Sequence, residues 1–129
     1  MQLMVEVSVG EVIDKITILE LKQQRISDRA KLANVETELQ TLNAAVAEAL
    51  PPSAELARLK AELFEINSAL WVIEDDIRLC ESAGDFGSRF IELARAVYVT
   101  NDKRANVKKQ INLAVGSRLI EEKSYAGSL

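Results

Sequence analysis

The chain has 129 residues, a net charge of −4, many aliphatic and few aromatic residues, and no histidine. That length bounds it to one domain with room for an aliphatic core. The missing histidine excludes Ser-His and Cys-His nucleophile pairs and imidazole metal ligands, and neither a metal nor a cofactor is expected.

Other bulk features narrow the class further. The acidic balance opposes a nucleic-acid-binding face, which is normally basic. No apolar run approaches the roughly 18 residues of a membrane span, and the first residues lack the pattern of a signal peptide. Cys80 is the lone cysteine, so no disulfide forms within the chain. We therefore expect a cytoplasmic protein with Cys80 buried as a structural thiol. Five glycines and two prolines leave little turn material, which favours a few long helices.

In chain order, Leu3, Val5, Val7 and Val9 alternate with Gln2, Met4, Glu6 and Ser8. The alternation predicts a short extended segment. It either lies along the helices or pairs with a second copy, since no other strand is apparent. Ser8 and Glu11 have capping-box spacing, with Val7 and Val12 placed for a hydrophobic staple. A first helix is expected over about 9–50. Its apolar line shifts phase near Ser27-Asp28-Arg29, between Val12, Ile16 and Leu19 and the later Leu32, Val35, Leu39, Leu42, Val46 and Ala49. The shift is either a stutter in one helix or a break, with Asp28 capping the helix that follows.

Pro51-Pro52 stops that element, and Ser53 is placed to cap the next. Leu56, Leu59, Leu63, Ile66, Leu70, Ile73, Ile77 and Cys80 step by three and four, a heptad seam that predicts a helix over about 54–82. Gly84 to Ser88 is a turn with Asp85 or Ser88 as the next cap. A third helix is expected over about 89–123, with Gly116-Ser117 as a point of interruption. The fold class expected is all-α: an antiparallel three-helix coiled-coil-like bundle preceded by a short extended segment.

The second helix is too short to cover an unbroken first one. Val12, Ile13, Ile16, Ile18, Leu19 and Leu21 would then lie bare although they surround the helix axis. A helix apolar all round is buried. A homodimer is the expected cover, and a fold-back at Ser27 is the alternative.

The candidate site is on the last helix. Asn101, Arg104 and Lys108 fall in the middle of the face marked by Phe90, Leu93, Val97, Ile111, Val115 and Leu119, with Asn112 at its edge. Cations are costly to bury unpaired. One reading is a pocket in which these four bind a small anion, a phosphate or carboxylate. The other readings are a buried ion-pair network, with partners such as Glu62, Glu65, Glu36 or Glu38, or side chains whose stems pack while their heads stay wet. Glu20 interrupts the apolar line of the first helix and is either a cation's partner or, in an enzyme, the acid or base. Residues 89–123 carry net +4, which fits a basic helix paired with acidic ones better than a nucleic-acid surface without interleaved aromatics.

Two stretches carry a resemblance. Val7-Ser-Val-Gly-Glu-Val-Ile-Asp-Lys-Ile-Thr-Ile-Leu-Glu-Leu-Lys22 resembles the N-terminal signature of a family of small bacterial proteins of unknown function. Tyr98, Asn101, Arg104, Lys108, Ile111-Asn112, Gly116-Ser117 and Glu122-Lys-Ser-Tyr125 resemble the same family's C-terminal signature. The resemblance implies that the two ends belong to one recurring unit, and no activity follows from it. Ile13-Asp14, Ile16, Leu19, Leu21 and Arg25 also resemble the first helix of the all-helical chorismate mutases, which are intertwined dimers binding a dicarboxylate with Arg and Lys. Thr17 departs from that pattern, where those enzymes repeat an acid. The leading expectation is a non-catalytic oligomeric helical protein that binds a partner protein or small anion. The alternatives are a small helical enzyme acting on an anionic metabolite and, third, a nucleic-acid binder.

Overall fold

A computed structural model describes residues 1–127. It contains four helices: α1 (Val9–Arg25), α2 (Arg29–Ala49), α3 (Ala54–Ala83) and α4 (Ser88–Val115). The all-α class holds, and residues 1–8 lie outside any helix or strand, but a three-helix bundle does not hold. The helix expected over 9–50 breaks where its apolar line changes phase. Ile26 leaves the helical region, and the Asp28 carboxylate accepts a hydrogen bond from the Lys31 amide at 3.0 Å. A capping acid three residues past a helix end starts a new helix more cheaply than it extends the old one.

The other boundaries follow their local chemistry. Ser8 caps α1 by accepting from the Glu11 amide, although Val7 stays about half exposed rather than closing a staple. Ser53 caps α3 by accepting from the Leu56 amide. Gly84 and Gly116 end α3 and α4 with φ of 67° and 69°, the left-handed region that glycine enters at little cost. The last helix therefore stops at Val115 and does not reach 123. The turn between α3 and α4 is capped differently from expectation, with Gly87 at the N-cap position and the Asp85 carboxylate accepting from the Gly87 amide.

Ile13, Ile16 and Leu19 of α1 meet Val35 and Leu39 of α2, Leu56, Leu59 and Leu63 of α3, and Val107 and Ile111 of α4 in one core. α1 is the hub: α2, α3 and α4 all pack on it, and α3 and α4 pair as a hairpin. The α1–α2 fold-back buries the apolar surround of α1 within one chain. The coverage problem that called for a second subunit is thereby removed.

The α3–α4 hairpin outreaches its partners. α1 meets α4 in antiparallel sense, from Gly10 beside Asn112 to Ile18 and Leu21 beside Asn101 and Trp71. Beyond that point residues 72–83 and 88–99 continue together for roughly 18 Å at 1.5 Å per residue. Cys80 and Leu93 are buried between them, while Val72, Leu79, Phe86, Ile91, Tyr98 and Val99 are exposed.

Candidate functional site

Asp14 anchors the polar centre. It lies among the buried residues of α1, its side chain only 2% exposed. A carboxylate there must be paired and hydrogen-bonded, and it is. Arg104 of α4 forks onto it, Nε 2.9 Å from Oδ1 and Nη2 2.5 Å from Oδ2. Asn67 of α3 donates to Asp14 Oδ1 at 2.9 Å and lies the same distance from the Thr17 hydroxyl. The Thr17 hydroxyl donates to the Asp14 carbonyl at 2.7 Å. Asp14 thus ties three helices at one buried point. The hydrogen bonds that Arg104 donates to Asp14 hold its pKa above the ordinary value, against the opposing cost of burial.

Lys108, one turn further along α4, has its ammonium 2.8 Å from Glu11 and 2.8 Å from Glu121, with Asp14 at 4.0 Å. Burial works against the charged amine, but the hydrogen bonds it donates to Glu11 and Glu121 and the field of Asp14 outweigh it, and its pKa is raised. Glu121 belongs to a segment after α4 that folds back along that helix. Lys109–Glu122 and Lys123–Asp102 pairs hold it there as well.

Asn112 closes the other end. Its Oδ1 accepts from the Gly10 amide at 2.6 Å, one of the donors that a helix start leaves unsatisfied. Gly10 is required by the same contact, because a Cβ there would meet the Lys108 carbonyl oxygen at 2.4 Å. The Ser117 hydroxyl accepts from the Val9 amide and donates to the Leu119 carbonyl.

The structure thus brings Arg104, Lys108 and Asn112 against the start of α1. Asn101 lines with Arg104 and Lys108 a small hollow of about 60 Å³, and with Arg104 alone of these an open cleft of about 470 Å³ walled by Ile18, Leu21, Leu70 and Trp71. Glu74, Asp75 and Arg78 complete that cleft, and the Arg25 guanidinium lies 5.7 Å from the Trp71 ring centre. Glu20 is not part of this group. Its carboxylate faces Lys60 of α3 at 3.1 Å, near enough for ionic attraction but without hydrogen-bond alignment. The acids named from sequence as cation partners are engaged elsewhere or unused here: Glu38 pairs with Lys15 and Glu62 with Arg58.

Asp14, Asn67, Glu11 and Glu121 are the members that the sequence reasoning missed. Asp14 and Asn67 carried the same signal that exposed Arg104, a polar residue inside an apolar helical line. Asn67 follows Leu63 by four and precedes Leu70 by three; Asp14 precedes Thr17 by three and Leu21 by seven.

An all-helical chain whose two ends meet in one buried ion-pair network is the class this geometry defines. The sequence belongs to the family described as Family of unknown function (DUF6165), which it matches over residues 3–129. No curated protein and no solved structure matches it.

Proposed function

We propose that this protein is a non-catalytic, cytoplasmic helical assembly module that works as a homodimer. Its binding surface is the projecting part of the α3–α4 hairpin. The supporting observation is that Val72, Leu79, Phe86, Ile91, Tyr98 and Val99 stay exposed there, beyond the reach of α1 and α2. Ile91 and Val99 among them line one groove of α4, and apolar groups that share an exposed groove mark a docking site more often than scattered ones do.

The charge balance at the polar centre supports the same reading. Arg104 and Lys108 face Asp14, Glu11 and Glu121, so the cations are already neutralised. A small anion would compete with carboxylates built into the chain. The remaining place for one is the small hollow of about 60 Å³ that Asn101, Arg104 and Lys108 line with Glu121 and Lys123, where Lys108 is already held by Glu121 and Lys123 by Asp102. Acid–base catalysis by Glu20 has no geometric support, because that carboxylate is paired with Lys60. No described helix is long and apolar enough to cross a membrane.

Sedimentation equilibrium tests the reading on wild type and on an Ile91→Glu/Val99→Glu variant. The expected result is a dimer for wild type and a monomer of unchanged helicity for the variant. A monomeric wild type, or a variant that remains dimeric, would overturn it.

A further inference from the structure

Resting on that reading, we infer that the residues seated on the projecting hairpin are Leu3, Val5 and Val7 of a second copy, exchanged reciprocally between the two chains. The segment before α1 is neither helix nor strand, its junction Ser8 has extended backbone angles, and Leu3, Met4 and Val5 are strongly exposed with Val7 half exposed. Its one described side-chain tie is the Glu6–Arg118 pair. Successive odd positions of an extended chain fall on one side, about 6.6 Å apart. Leu3, Val5 and Val7 thus form an apolar strip about 13 Å long.

The face of α4 offers a matching track. Ile91, Arg95 and Val99 follow one another at i, i+4 and i+8, and span about 12 Å at 1.5 Å per residue. With Ser88, Glu92 and Ala96 they line a shallow groove of about 450 Å³. The Arg95 stem can pack beside the middle residue while its head stays in water.

Reach decides which chain supplies the strip. Gly10 is fixed beside Asn112, and Asn112 lies about 20 Å along α4 from Val99. Val7 is three residues from Gly10 and extends at most about 10 Å. The strip cannot lie along its own groove, so the strip seated there comes from another molecule. A two-fold arrangement lets each chain give one strip and receive one, which closes the assembly at two copies.

Charge selects the strip over direct hairpin-to-hairpin contact. Residues 72–99 contain six acidic and three basic residues, net −3. Two such surfaces face to face repel. The strip carries only Glu6, already paired with Arg118, and brings no net charge.

The test uses the full chain in a Cys80→Ala background. One sample carries Leu3→Cys and a second, of different tag size, carries Val99→Cys. They are mixed, allowed to exchange and oxidised gently. The expected product is the mixed disulfide, in large excess over either like-with-like disulfide. A chain lacking residues 2–7 is expected to sediment as a monomer. A deletion variant that stays dimeric, or a Val99→Cys sample that links mainly to itself, overturns the exchange while leaving the hairpin as the interface. A monomeric wild type overturns the hairpin reading as well.

Discussion

Arg104 and Asp14 form a pair in which each residue is tolerable only because of the other. The Asp14 side chain is 2% exposed and that of Arg104 is 28% exposed. Replacing Arg104 with Met keeps much of the volume and takes both forked hydrogen bonds from a buried carboxylate, which Asn67 and the Lys108 ammonium at 4.0 Å do not replace. Arg104→Met is expected to cost about 3–5 kcal/mol, and Arg104→Met with Asp14→Leu to recover most of that loss. Urea unfolding of the three proteins checks both; equal costs for the single and double variants would show that the pair is not coupled. Lys108 gives a pH dependence of definite sign. Its pKa in the folded chain is raised above the ordinary 10.5. Its contribution is therefore fully present below about pH 10.5 and lost as pH climbs through the raised value. Stability of wild type relative to Lys108→Met should be flat from neutral pH to about 10 and fall above it; a difference that falls between pH 6 and 9 would contradict the assignment. Gly10→Ala sets two effects against each other. Alanine is favoured in a helix by about 1 kcal/mol, but the new Cβ meets a backbone oxygen at 2.4 Å. The close approach wins, and thermal unfolding should show a net loss of about 1–3 kcal/mol. The site was partly legible from sequence because a charge in an apolar line announces itself at any position. The identity of the partners was not. Glu11 and Glu121 are 110 residues apart, and only the fold-back of the segment after α4 puts both on one ammonium.

At the scale of elements, the caps were legible and the helix lengths were not. Ser8, Asp28 and Ser53 each accept from the amide three residues on, which is the chemistry their types predict. The end of α4 was misplaced because Leu119 continues its apolar line, while Gly116 at φ 69° turns the chain out of the helix. Periodicity reports which face is apolar, not where the backbone stops. The α3 seam has the same blind spot. Leu56, Leu59 and Leu63 are buried under α1, whereas Ile66, Leu70, Ile73 and Ile77 on the same seam are only partly covered. The seam is continuous although its cover is not. Asp28 is the device that turns one expected helix into two. Asp28→Ala should lower stability by about 1 kcal/mol in denaturant unfolding; no measurable loss would mean that packing on α1, not the cap, sets the start of α2.

For the whole molecule, the decisive quantity is how much of the fold one chain completes alone. The fold-back of α2 gives α1 its cover, so the core around Leu63 and Ile111, both fully buried, needs no second copy. The projecting hairpin differs, with Cys80 and Leu93 buried only between its own two helices. Two paired helices with one inner seam have little apolar burial to offset the conformational entropy of ordering them. Association that covers this hairpin should therefore stabilise it more than the core. Binding coupled to the folded state makes the unfolding temperature rise with protein concentration. Wild type should show such a rise, and the chain lacking residues 2–7 should not. Amide exchange should locate the effect: protection in 72–83 and 88–99 should increase with concentration, while that around 59–63 and 107–111 should not change. If protection rose uniformly over both regions, the hairpin and core would be one cooperative unit, and the surface left bare by α1 would not be a separately stabilised interface.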